Sequence, residues 1–325
     1  MEIKIGGQLK GNCAVRFTGG KHNNLQLVQK KDIDDIAAIS QVTIIDYLAI
    51  PFCSSGADPL TVRELLGSNG KDIKIVSKID TLEGVQQYEN ILKHSDSCIF
   101  VRNELQWELA AEKLMLAQKW VIESANASAK PIMMQSQMIE SMITGGKKAE
   151  RTELSEISTV TLDGADCFIL SHETSMGEQA VEATICMAKA IAEAESIYDY
   201  DQASTNVRAD IKQMGHKAHN LDILAATGSA IAFDPRENVD MFVCLTDDGT
   251  ITRHLAKQRP KQPILACSIS GQTVRQMNMV RGIVGYKIPQ YMKSKTDDLI
   301  NLILQVAQEQ LICNLPSSKV MIFIG

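Results

Sequence analysis

Four short apolar runs in this chain each end in polar residues able to do chemistry. The run over 73–78 delivers Ser77, Lys78 and then Asp80, and the run over 98–102 delivers Arg102, Asn103 and Glu104. The runs over 131–135 and 167–170 deliver Gln135, Ser136 and Gln137, then Ser171, His172, Glu173 and Thr174. Two carboxylates on neighbouring strand ends, with a lysine beside the first, suit a Mg2+ site handling a phosphorylated substrate. Mg2+ prefers hard oxygen ligands and keeps positions open for phosphate. Polar residues also end strands that catalyse nothing, so pattern alone leaves both readings open.

The elements that must position these residues alternate along the chain. Strands are expected at 43–51, 73–78, 98–102, 131–135 and 167–170, with amphipathic helices at 31–39, 60–66, 84–93, 111–124, 154–161 and 180–195. Apolar strands alternating with helices predict a parallel sheet covered by helices. Five such units in succession fit a (β/α) barrel segment better than an open sheet, and barrel chemistry sits at the C-terminal strand ends. Residues 196–208 are polar with few helical periodicities, which places a domain boundary there. A second α/β domain is expected beyond it, with strands at 241–246, 263–268, 282–289 and 319–324. Residues 1–19 read as a strand and turn without a preceding partner, and five strands alone would leave open sheet edges.

Composition narrows the function classes. The net charge of −6 gives no reason to expect nucleic-acid binding, and no apolar run is long enough for a membrane span. Eight cysteines are scattered without a C-x-x-C pair, which reads as buried thiols in a reducing compartment. His216 and His219 share a helix face, but no cysteine or carboxylate cluster accompanies them, so a structural role is expected. With no basic-plus-apolar leader, a cytoplasmic location is the expectation.

The chain resembles the pyruvate kinase family over nearly its whole length. KDIKIVSKIDTLEG at 71–84 is similar to the family's K-I-I-S-K-I-E-N-x-E-G segment, and AEKLMLAQK at 111–119 to the helix following its V-A-R-G-D-L-G. QMIESMI at 137–143, LDGADC at 162–167 and LSHETSMG at 170–177 match three further blocks. RPKQPI at 259–264 and RGI at 281–283 continue the match. The resemblance implies an α/β protein: a partial (β/α)8 TIM-type barrel comprising strands four to eight, then a C-terminal α/β domain. Residues 1–28 correspond to a remnant of the cap domain and its return, 29–197 to the partial barrel and 198–325 to the C-terminal domain. Strands one to three are expected to be absent.

The resemblance also implies chemistry: phosphoryl transfer from phosphoenolpyruvate to ADP in glycolysis, with Mg2+ and K+ as cofactors. The family's lysine beside the transferring phosphoryl is Lys78, its Mg2+ carboxylates are Asp80 and Glu104, and substrate binding falls to Asn103, Glu104 and Ser136. In the family the first carboxylate is Glu and the second Asp, so the short and long acids have exchanged places. One methylene shifts a carboxylate by about 1.5 Å, and Mg2+ tolerates little distortion, so weakened metal binding is expected. Asn103 and Gln106 replace glycines that let backbone amides approach the substrate, and a left-handed backbone would strain Gln106. His172 replaces a glycine and Met176 a lysine. The K+ ligands, the phosphate-binding arginine and most nucleotide contacts lie in the family's first three strands and cap, so no residue here takes those roles. The acidic run TDDGTIT at 246–252 stands where many members bind a sugar phosphate, and its acids are expected to repel one.

Two functions follow from the resemblance. One is an incomplete pyruvate kinase whose activity is impaired or absent in this chain alone. The other is a pseudoenzyme, an inactive paralogue joining active subunits, since members of the family form oligomers and a homo- or hetero-oligomer is expected. A fragment of a longer gene product is a third reading.

Overall fold

β-Branched apolar runs fold here into two all-parallel sheets, each with its own helical cover. The computed structural model describes residues 27–42, 45–68, 70–135, 138–143, 148–214, 219–237, 239–290, 296–309 and 318–324. The expected strand and turn at 1–19 lie outside the described residues, as do Ser136, Gln137 and His216.

The first sheet runs β1 (Tyr47–Ile50), β2 (Lys74–Ile79), β3 (Ser97–Val101), β4 (Ile132–Gln135) and β5 (Cys167–Ile169), in that order. Parallel neighbours require crossovers, and helices supply them: α1 (Lys30–Ile39), α2 (Ala57–Leu66), α3 (Leu82–Gln86), α4 (Tyr88–His94), α5 (Arg102–Leu105), α6 (Ala111–Ala127), α7 (Arg151–Asp163), α8 (His172–Ser175) and α9 (Ala180–Ser196). Strand alternation sends Ile75, Ile79, Cys98, Phe100, Ile132 and Met134 to the helix-covered face. Val76, Ile99, Val101 and Met133 line the other face, together with the partly buried Tyr47.

Local signals set several boundaries. Thr81 caps α3 by accepting the Gly84 N–H at 3.0 Å. Glu150 and Glu153 form a capping box at the start of α7, and Gly164 ends it at φ 99°, a left-handed position natural to glycine. The single helix expected over 84–93 is two helices. At the break, Tyr88 turns into the core and its hydroxyl donates to the Val121 carbonyl.

The expected non-helical boundary is helical: α10 (Tyr200–Met214) covers much of 196–208. Its apolar stripe is Ala203, Val207 and Ile211 at i, i+4 and i+8, and only the first two of these fall within 196–208, so that window alone shows little periodicity. It is also held by the Asp199 carboxylate, which accepts the Gln202 N–H at 2.8 Å, and by a Gln202–Asn206 side-chain bond at 2.7 Å.

After α11 (Asn220–Ala232), the second sheet alternates β6 (Val239–Leu245), α12 (Thr250–Lys257), β7 (Ile264–Ser268), α13 (Gly271–Met277), β8 (Ile283–Lys287), α14 (Thr296–Glu309) and β9 (Lys319–Ile324). Its strand order is β8-β7-β6-β9, all parallel. Phe242 and Cys244 face α11, α12 and α13, while Met241 and Val243 face Leu299, Ile303 and Ala307 of α14. This is doubly wound packing. Among the described residues no helix is long and apolar enough to cross a membrane.

The sheets are joined by polar residues. Gln272 and Gln276 of α13 donate to the carbonyls of Ile45, Asp46 and Asp72, and Tyr47 donates to the Gln276 carbonyl at 2.7 Å. Arg259 donates to Asn126 Oδ1 at 2.7 Å and to the Gly164 carbonyl at 2.6 Å, beside Asp166.

Candidate active site

Lys78, Asp80 and Glu104 emerge at one end of the first sheet, the C-terminal end of two adjacent strands. Lys78 pairs in register with Ile99 of β3, and Asp80 follows β2 directly. Residues 76, 78 and 80 alternate with 75, 77 and 79, so Lys78 shares the face of Val76 and Ile99 and is half-buried. Glu104, also half-buried, lies on α5, which begins where β3 ends.

Asp80 is 2% exposed. Its two carboxylate oxygens accept the Phe52 N–H at 3.0 and 3.2 Å. Phe52 follows β1 with φ 56°, a left-handed backbone that costs a non-glycine residue about 1–2 kcal/mol. The turn after one strand thus orients the carboxylate after the next. Sequence reasoning missed this contact, because a backbone N–H from a left-handed Phe has no signature in residue type.

The glycine replacements behave differently from the expectation. Asn103 lies inside α5 and Gln106 follows it at φ −58°, ψ −19°, a right-handed backbone open to any residue. Neither position carries left-handed strain, because Asn103 lies in a short helix and Gln106 directly follows it. Arg102, which precedes them, is buried and ion-paired with Glu156 of α7. Burial lowers its pKa, and Glu156 acts against that shift.

Two further strand-end groups have unsatisfied acceptors. Among the described residues, Asn103 Oδ1 and Glu173 Oε1 are buried without a hydrogen-bond partner, while Glu173 Oε2 accepts the Ser171 N–H at 2.7 Å. His172 and Met176 are exposed.

Asp80 and Glu104 offer oxygen donors of the hard type that Mg2+ selects. Among the described residues no group of three or more His, Cys, Asp or Glu side chains forms a metal cluster. Mg2+ is commonly held by one or two carboxylates plus substrate phosphates, so the donor set fits that ion without a third.

The pyruvate kinase barrel-domain family matches residues 1–184, and the pyruvate kinase alpha/beta-domain family matches residues 225–325. The chain belongs to the pyruvate kinase family. It is 33% identical over 286 residues to a pyruvate kinase of Eimeria tenella, covering 88% of this chain and 52% of that one. To a pyruvate kinase of Dictyostelium discoideum it is 34% identical over 306 residues, covering 93% and 58%. The solved structure of Cryptosporidium parvum pyruvate kinase in complex with ADP superposes with a TM-score of 0.84 at 28% identity, over 95% of this chain and 61% of that one. The chain therefore spans between about half and three-fifths of the length of these relatives.

Proposed function

We propose that this protein carries a pyruvate-kinase-type phosphoryl-transfer site, acting between phosphoenolpyruvate and ADP, with a weakened Mg2+ site. The observation behind this reading is the convergence of Lys78, Asp80 and Glu104 at the C-terminal ends of adjacent parallel strands, the end at which barrels of this class do chemistry. Membership of the family, and a relative solved in complex with ADP, support it.

In this reading Asp80 and Glu104 hold Mg2+, which when bound neutralises charge on the phosphoryl oxygens. The Lys78 ammonium stands beside the transferring group and offsets the charge that develops there. The Phe52 N–H keeps the Asp80 carboxylate aimed. Asn103 Oδ1 and Ser136 are assigned to substrate, and no residue is assigned to K+. Cytoplasmic location belongs to the same proposal, in line with a soybean relative described as a cytosolic isozyme.

The exchange of short and long carboxylates supplies the test. Isothermal titration with Mn2+ should show tighter binding when the family order is restored by Asp80→Glu with Glu104→Asp. Asp80→Asn with Glu104→Gln should abolish the heat. Equal Mn2+ affinity in wild type and the Asn/Gln variant would refute the metal assignment. A coupled assay for pyruvate then separates this reading from its alternative, a chain that keeps the fold and pairs with active subunits. His172 and Met176, replacing the family's glycine and lysine, favour that alternative.

A further inference from the structure

At the opposite end of β2 from Lys78 and Asp80, a cavity of about 300 Å3 lies between the two sheets. Lys74 opens β2 and Asp80 follows its end, so the two ends stand about 20 Å apart. Four cations line this cavity: Lys74, Lys93 and Lys130 from the barrel, and Arg253 from α12. The protein as a whole is acidic at −6, so the gathering runs against its overall charge.

Two of the cations, Lys130 and Arg253, are held in place by contacts to neutral groups. Lys130 Nζ donates to the carbonyls of Leu92, Lys93 and Ser95 at 2.6, 3.2 and 2.7 Å, closing the end of α4. Arg253 donates to the Asp248 carbonyl at 3.3 Å and to Thr250 Oγ1 at 3.1 Å, which leaves further donors on its five-donor fork. The one carboxylate in the wall, Asp96, is ion-paired with Arg63 and accepts the Ile75 N–H at 2.8 Å. Nearby Asp248 accepts the Thr250 N–H at 2.9 Å and its hydroxyl at 2.6 Å, and it also feels the charges of Arg253 and Lys74, offsetting them in part, so the four cations still outnumber the acids beside them. Among the described residues, neither Lys74 nor Lys93 has an ion-pair partner. Burial lowers the Lys130 pKa, Cys98 and Asp96 act against that shift, and the charge of Arg253 adds to it. Like charges crowded into a partly buried space favour an anion among them.

We propose that this seam cavity binds a phosphomonoester, the dianionic group of a small phosphorylated metabolite, at a site separate from the strand-end residues. A phosphomonoester brings three acceptor oxygens and a charge of about −1.5 to −2 near neutral pH. That matches the donors of Lys74, Lys93 and Arg253 better than a single carboxylate does. The volume is that of a small-ligand pocket, at the lower end of the usual range of about 300–1,000 Å3. The site takes its wall from both sheets, so ligand binding there favours their docked arrangement. It rests on none of the residues assigned to phosphoryl transfer.

Titration calorimetry on the full chain, at ionic strength matched with chloride, tests it. Inorganic phosphate and ribose 5-phosphate are expected to bind, and unphosphorylated ribose is not. Lys74→Gln with Lys93→Gln should weaken ribose 5-phosphate by about tenfold or more, as expected for lost charge-assisted bonds, while Lys78→Ala leaves it unchanged. Lys93→Glu, a change at one exposed side chain, provides a second variant, and thermal melts verify that each variant folds. No heat from wild type with either phosphate up to about 10 mM, or equal binding by wild type and both seam variants, would overturn the site. Loss on Lys78→Ala with retention in the seam variants would overturn it too, by moving the phosphate to the other end of the sheet.

Discussion

Asp80 shows how a single carboxylate is prepared by its surroundings. At 2% exposure it would be costly to bury without partners, and the Phe52 N–H meets both of its oxygens. The cysteines show the reverse, groups prepared to stay inert. Burial pushes the thiols of Cys53, Cys98, Cys244 and Cys267 up to about 12. The unfolded thiol ionises near 9, so these groups bind protons in the folded chain that the unfolded chain has released between about pH 9 and 12. Their contribution to stability is complete below pH 9 and is lost as pH rises through 12. Urea unfolding should therefore show stability falling from pH 8 to pH 10.5, with a smaller fall in Cys244→Ala. These four thiols should also resist Ellman's reagent at pH 8 until the chain unfolds. Rapid labelling of Cys98 in the folded protein would contradict this burial.

At the scale of elements, close approach decides what a position tolerates. Gly228 on α11 lies against β9, where an added Cβ would meet Phe323 Cζ at 2.3 Å. Helix and sheet sit this near only because no side chain separates them. Gly228→Ala should cost about 1–3 kcal/mol by overpacking, read as a lower urea midpoint at unchanged slope, and Phe323→Leu in the same chain should recover part of it. No recovery would mean that the cost arises elsewhere in α11. α10 carries the complementary lesson. Its first turns are held by an end cap and an i, i+4 amide pair, which periodicity in apolar residues does not register, while its stripe is completed by Ile211, beyond the expected boundary.

Across the whole molecule, the apolar cores of the two halves are joined by a polar clamp, with Met279 as an apolar contact onto the first sheet. The barrel core and the two faces of the C-terminal sheet form separate apolar clusters. Arg259 spans them at φ 51°, bonding Asn126 and Gly164 beside Asp166. Arg281 reinforces it, its N–H donating to Asp166 Oδ1 at 3.2 Å and its Nε to Glu195 at 2.9 Å. Removing one partner of a buried pair costs about 3–5 kcal/mol. Arg259→Ala should therefore uncouple the halves, and calorimetry should resolve two unfolding transitions in place of one. A single transition at the wild-type temperature would show that the clamp is not what couples them.

The sequence by itself determined the parallel α/β architecture and the residues that end each strand, Lys78, Asp80, Asn103 and Glu104 among them. Those are local properties: period-two apolar runs, helical stripes and the polar residues that stop them all lie within a few positions of one another. The family, too, was legible in short ordered blocks. Tertiary structure alone decided that a left-handed Phe52 aims Asp80, that Gln106 sits unstrained after a short helix, and that Gly228 admits Phe323. It also decided the cationic seam, because Lys74, Lys93, Lys130 and Arg253 come from four distant segments, and only folding converts their separation along the chain into proximity.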